Sequence, residues 1–319
     1  MQPLPRPLVL VGLLVGAVAV STSAILARVA MGDDPGVATA PPGAASALAV
    51  AFWRTALGAL ALAPLAVRAQ RRSPTRLTAT RRRQLFGSGL SLALHFALFQ
   101  GALALTTVAS AVTLVTMSPV FVALGGWWFL HERTHRRMLF GMGLTIVGAV
   151  VIGLGDAAAI DLGRDALIGD AMAFGGAIAI TGYLLTGRVA RRDVPAITYS
   201  CAVYGWAAVV LLAVCLALRV PLTGYDPTTW LAILAIVVGP QLLGHTIFNA
   251  LLASVPATIV SVVVLSEPVG AGLLAWLLLD ELPAGPFAIG APLVLLGVAI
   301  ATARRRSSRE AAEATVTET

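Results

Sequence analysis

The sequence predicts an all-α integral membrane protein of ten transmembrane helices, built as two inverted five-helix repeats with both termini cytoplasmic. Three observations predict it. The chain is 58% hydrophobic over 319 residues, with a mean hydropathy of +0.89, which leaves too little polar surface for an ordinary water-soluble domain. Its basic residues gather in short loops that all fall on one side of the apolar runs. Twelve positions also return 149 residues later, in the same order and spacing.

The spans are expected at 8–30, 45–68, 84–106, 107–130, 138–155, 166–187, 196–218, 229–252, 256–279 and 285–303. Runs of about twenty apolar residues match a hydrocarbon core of roughly 30 Å. The first span follows Arg6 and reaches small residues near Ala24, so alone it could pass for a signal peptide. The many spans behind it make it a first transmembrane helix instead. The run 84–130 is too long for one crossing and must fold back near Thr106 and Thr107. Cys201 and Cys215 share the seventh span, 14 residues apart. On a helix that is roughly 21 Å, so they cannot bridge each other and are packing residues.

All 22 basic side chains are Arg, and the net charge is +7. In a soluble chain this would suggest nucleic acid, but the position of the residues argues for membrane orientation. Arg68, Arg71, Arg72, Arg76, Arg81, Arg82 and Arg83 follow the second span; Arg133, Arg136 and Arg137 follow the fourth. Arg188, Arg191 and Arg192 follow the sixth, and Arg304, Arg305, Arg306 and Arg309 the tenth. The intervening loops carry acids, with Asp33 and Asp34, then Asp280 and Glu281, and a mixed Asp156, Asp161, Arg164 and Asp165. Every basic cluster then lies on the cytoplasmic face.

The echo pairs Phe99, Ala104, Pro119, Val120, Trp127, Leu130, Glu132, Gly141, Leu144, Val147, Gly148 and Val151 with a second set. That set is Phe248, Ala253, Pro268, Val269, Trp276, Leu279, Glu281, Gly290, Leu293, Leu296, Gly297 and Ile300; ten pairs are identical and two conservative. Gly16, Ala17, Ala19, Arg28, Val29 and Ala30 recur at a different offset, 160, as Gly176, Ala177, Ala179, Arg188, Val189 and Ala190. The two offsets differ by eleven residues, which places an insertion near 33–43. An odd number of spans per copy forces the second copy into the membrane upside down, the internal symmetry of secondary transporters. The expected domains are therefore 1–155 and 156–303, with 304–319 a disordered cytoplasmic tail rich in Glu310, Glu313 and Glu318.

Leu103-Ala104 with Pro119, Glu132, Gly141 and Gly148, and Leu252-Ala253 with Glu267-Pro268, Glu281, Gly290 and Gly297, carry a resemblance. Together with Trp53-Arg54, they make the chain similar to ten-helix members of the drug/metabolite transporter superfamily of the EamA type. The resemblance implies movement of a small solute through a central cavity between the two halves, usually as export. Members of that family carry amino acids, drugs, sugars and other metabolites, so no substrate is named by it.

Ionisable side chains at membrane depth are costly and mark candidate sites. Glu267 lies about eleven residues, roughly 16 Å, into the ninth span, beside Pro268, which cannot donate a backbone bond. A carboxyl there can take up and release protons; the competing reading is a structural Glu that fixes a helix contact. Copy one has Ser118-Pro119 at this place, so the acid is asymmetric. Gln241, His245 and Asn249, four residues apart, are expected to form one polar stripe, kinked inward by Pro240. Folding back near Ser254 would bring His245 within about a turn of Glu267, as a proton or substrate partner or as a bundle-holding network. His95, with Gln100 nearby, either lines the cavity or packs. Arg54 either snorkels to the interface or counters an anion. Trp53, Tyr183 and Tyr204 are wall candidates with packing as the alternative. Pro119, Pro268 and Pro240 are the expected hinges. Gly12, Gly16, Gly175, Gly176, Gly270 and Gly272 suit close helix approach. Glu132 and Glu281 are expected to cap helix ends or pair there with neighbouring Arg or backbone, not to bind ligand.

No HExxH, spanning GxSxG, Asp pair or metal-ligand cluster is present in the sequence, so no enzyme, cofactor or metal is expected. The expected partners are a small-molecule substrate, the lipid bilayer of the plasma membrane and protons, without nucleic acid, in a monomer or homodimer. Secondary active transport is the primary expectation. The alternative is a channel or scramblase without ion coupling.

Overall fold

The computed structural model describes residues 4–32, 36–37, 39–72, 74, 77–132, 134–156, 163–279 and 285–302. The loop residues Asp33, Asp34, Arg76, Arg133, Asp161, Asp280 and Glu281, and the tail 304–319, lie outside the described residues. Among those described, the regular structure is helical throughout: α1 Arg6–Ser21, α2 Ser23–Met31, α3 Ala47–Arg72, α4 Ala79–Leu105, α5 Val108–Val115, α6 Ser118–Leu130, α7 Arg136–Asp156 and α8 Arg164–Ala190. Then come α9 Ala196–Ala217, α10 Pro227–Ile236, a π-helix Val237–His245, α11 Thr246–Leu251, α12 Ala257–Val264, α13 Glu267–Leu279 and α14 Phe287–Thr302. Among the described residues eight helical runs are long and apolar enough to cross a bilayer, and Phe287–Thr302 is a shorter apolar helix.

Local chemistry sets the ends. The chain turns at Thr106 and Thr107, where Thr106 closes α4 and the Thr107 hydroxyl caps α5 by accepting from the Ser110 N–H at 3.1 Å. Thr78 caps α4 in the same way, accepting from the Arg81 N–H at 3.3 Å. That cap starts the helix five residues before the expected boundary and draws Arg81, Arg82 and Arg83 into its first turns. Arginine in an outer turn is compatible with a helix, although it reads as loop in a hydropathy profile.

Three helices are interrupted where the sequence suggested continuous spans. The first breaks at Thr22, whose hydroxyl donates to the Ala19 carbonyl at 2.8 Å and competes with the helix ladder. The other two break at Thr116–Met117 and at Leu265–Ser266, positions that are 149 residues apart. Each break precedes a proline, Pro119 or Pro268, at the second position of the following helix, where a missing N–H costs nothing. Pro240 sits inside the π-helix, so the expected kink is a local change of winding.

Packing is tightest where glycines let backbones touch. α4 lies along α8 and α9, α3 along α9, α7 along α14, and α1 against the π-helix. In the α7–α14 contact a Cβ on Gly141 would stand 2.6 Å from the Gly297 carbonyl oxygen, and one on Gly148 2.7 Å from that of Gly290. The contact is thus made by the four echoed glycines, crossed: 141 with 297 and 148 with 290. Gly16 likewise lies under the Phe248 ring, and Gly270 against Ser21. Cys201 and Cys215 are both free, half-buried and buried on α9.

Candidate functional site

The breaks converge. A cavity is lined by Ser23, just after the Thr22 break, by Thr116 and Ser118 around the second break, and by Leu265 and Glu267 around the third. His245, the last residue of the π-helix, joins them. Irregular backbone inside a membrane bundle is tolerated where it faces protein or a cavity, so the interruptions and the cavity explain each other. The wall is otherwise apolar and aromatic, with Phe96, Phe99, Tyr183 and Phe248.

Two ionisable groups face this space. Arg54, on α3, is 1% exposed. Its Nε donates to Gln241 Oε1 at 3.1 Å, its Nη1 to Ser23 Oγ at 3.4 Å, and its guanidinium lies 3.7 Å over the Phe96 ring. Nη2 has no hydrogen-bond partner among the described residues. Glu267 is 6% exposed and opens α13, where the positive end of the helix dipole favours an acid. Its Oε1 is also unbonded among the described residues. Among the described residues the ion pairs are Arg81–Asp193 and Arg188–Glu132, so Arg54 and Glu267 share the cavity without pairing.

Aromatic rings join these groups. The Phe96 ring meets His245 edge-on at 5.2 Å, and His245 meets Tyr183 at 6.1 Å. His95 stacks on Phe99 at 5.9 Å. The His95 Nδ1 donates to the Gly176 carbonyl at 3.0 Å, which fixes the ring tautomer and leaves Nε2 as an acceptor for a neutral ring. A polar layer lies behind the wall. Tyr183 donates to Asn249 Oδ1 at 2.5 Å, Asn249 Nδ2 donates to Ser200 Oγ at 3.0 Å, and Tyr204 donates to the Gln241 carbonyl at 3.2 Å. Tyr183→Phe is expected to lower stability by about 1 kcal/mol, since Asn249 loses a buried donor. Thermal unfolding of the purified variant measures it.

A family model for the EamA-like transporter family matches residues 8–154 and again 167–303. The chain belongs to the EamA-like transporter family. No curated protein matches it. One crystal structure, of a chain 20% identical, superposes with a TM-score of 0.72 over 93% of this chain and 97% of its own. That likeness is one of fold.

Within this EamA-like chain the structure brings together Glu267, His245, His95 and Arg54 on one cavity. Gln241 and Asn249 are fully buried and do not line it; they form the layer behind, one gripping Arg54 and the other Tyr183. Of the expected stripe His245 lines the cavity, while Gln241 and Asn249, four residues to either side, are engaged by Arg54 and Tyr183. Arg54 does not snorkel; its head is turned inward. Gln100 is fully buried away from the cavity. Trp53 is a packing residue, with its Nε1 donating to the Leu222 carbonyl at 2.9 Å and its ring edge-on to Trp230. Phe96, Phe99, Ser23, Thr116 and Ser261 line the cavity without having been singled out. For Ser23 a signal existed, the Ser21-Thr22-Ser23 run in an apolar helix. Phe99 and its echo Phe248 both line the cavity, whereas nothing in the sequence marked Phe96.

Proposed function

We propose that the chain is a secondary active transporter that exports a small metabolite or drug-like solute across the cytoplasmic membrane by alternating access, with Glu267 carrying the coupling proton. The observation that carries this reading is the cavity itself. A buried guanidinium and a buried carboxyl face one aromatic-walled space, each with an unbonded atom among the described residues, where three helices break. Discontinuous helices around a central polar site are the usual substrate architecture of such carriers. The charge pattern suits a dipolar solute, with an acceptor end for Arg54 and a donor end for Glu267. A donor on the solute and a proton would then compete for Glu267, which is the condition for exchange.

The architecture proposed with it has ten transmembrane helices in two inverted repeats, 1–155 and 156–303, and both termini in the cytoplasm. The one-sided Arg clusters support that orientation. The crossed glycine contact supports the inversion, since a two-fold axis between copies pairs each residue with the other copy's opposite number. In the same way α4 packs on α8 while α1 packs on the π-helix.

Metabolite efflux from cells overexpressing the chain, with and without a proton uncoupler, tests the function. Efflux that the uncoupler abolishes supports it, and uncoupler-insensitive, non-saturating flux would replace it with a channel. Once a substrate is in hand, His245→Ala is expected to raise its half-saturating concentration about tenfold, because a ring of the apolar wall is removed. An unchanged constant would make His245 a packing residue.

A further inference from the structure

Below the cavity the end of α8 is tied to two other elements by arginine. Arg188 Nε donates to Glu132 Oε1 at 3.0 Å, and its Nη1 donates to the Leu252 carbonyl at 2.7 Å. That carbonyl belongs to the residue closing α11, one of the groups a helix end leaves without an internal partner. Arg191 Nε takes a neighbouring one, the Asn249 carbonyl, at 2.7 Å. Glu132 is held in place from its own side. His131 turns left-handed at φ 55°, and the Glu132 N–H donates back to the Gly126 carbonyl at 3.0 Å, a closing motif that fixes the residue after α6.

The position of this cluster gives it meaning. Leu184 and Phe248 line the cavity, and Arg188 and Leu252 each lie four residues further along the same helical runs, one turn beyond the wall. Gly187 brings α8 close enough that a Cβ there would stand 2.9 Å from Leu252 Cδ1. Gly125 and Gly126 of α6 face Leu185. The ends of α6, α8 and α11 therefore meet just past one end of the cavity, and Arg188 touches all three. Glu132 comes from the first matched half of the chain, Arg188 and Leu252 from the second.

We propose that Glu132 and Arg188 form a latch between the two halves, which closes this end of the cavity and must part for solute to pass there. This rests on the alternating-access reading. The two side chains are 25% and 18% exposed, so the pair is not sealed inside the bundle. A partly exposed ion pair is weak enough to open on every cycle. The Arg188–Leu252 bond lies within the second half and keeps the guanidinium aimed while the Glu132 bond comes and goes.

The test needs no substrate. The full chain with Cys201→Ser, Cys215→Ser and Val264→Cys, a cavity position, is labelled in membrane vesicles by a membrane-impermeant maleimide from either side. Without further change, labelling from both sides is expected; labelling from one side alone sinks alternating access itself. Adding Glu132→Gln, or Arg188→Gln, is expected to raise the rate from the latch side about threefold, the scale of a partly exposed pair, and to lower it from the other side. The double variant should label no faster than the faster single one. Two-sided labelling with wild-type rates in both single variants, or additive effects in the double, overturns the latch and leaves the transporter reading standing. Should Arg188→Gln not fold, Arg188→Lys keeps the charge, loses the fork that reaches Glu132 and Leu252 together, and carries the same expectation.

Discussion

Replacing Glu267 by Gln is expected to abolish the dependence of transport on a proton gradient while the protein still folds. Gln keeps the size of the side chain and its hydrogen-bonding capacity at the start of α13. Arg54 keeps its bonds to Gln241 and Ser23. Only the exchangeable proton is removed. For one proton per solute, each unit of imposed pH difference drives up to about tenfold accumulation in the wild type, because one unit corresponds to roughly 1.4 kcal/mol. In the variant the same gradient should drive none, while solute-for-solute exchange is retained. Proteoliposome flux under an imposed pH step reads both quantities. Wild-type pH dependence in Glu267→Gln would remove Glu267 from the proton path.

Gly141→Ala is expected to lose at least about 3 kcal/mol, at or beyond the usual cost of overpacking. Its new methyl would stand 2.6 Å from the Gly297 carbonyl oxygen and from the Ala301 nitrogen. Both are backbone atoms of α14, so neither can rotate away, and the two helices must separate. Gly143, two residues on in the same helix, supplies the control: a Cβ there meets nothing within 4 Å. Gly143→Ala should be neutral or stabilise by up to about 1 kcal/mol through helix propensity. Melting temperatures and monodisperse yield of the two variants, compared side by side, decide the matter. Equal behaviour would mean that the close contact is not what holds α7 to α14.

The places of the helices were legible because apolar runs of bilayer length are hard to hide, and the Thr106–Thr107 reversal followed from length alone. The breaks at Thr116–Met117 and Leu265–Ser266 were half legible, flagged by Pro119 and Pro268. The Thr22 break was not, since no proline or glycine marks it. Which face of each helix looks inward was also hidden. Helices such as α4, α8 and α9 are apolar on all sides, so no polar face betrays the direction of the core, as it would in water. That is why Phe96 went unseen and why Arg54 could not be assigned between snorkelling and facing inward. Glu267, His95 and His245 were found because their chemistry is out of place in a bilayer. Gln241 and Asn249 were found for the same reason, but the partners that engage them, Arg54 and Tyr183, come from distant helices that no local spacing names.

The crossed glycines carry a consequence for how such a chain can change over time. After a duplication the two halves are ordinarily free to drift apart. Here the space beside Gly141 is filled by the main chain of the other half at Gly297, and that beside Gly148 by the main chain at Gly290. A side chain gained on one half cannot be answered by a smaller side chain on the other, because there is none left to shrink. At these four sites the two descendants of one ancestral segment remain bound to a common fate, and a chimaera that takes one half from elsewhere inherits the same demand.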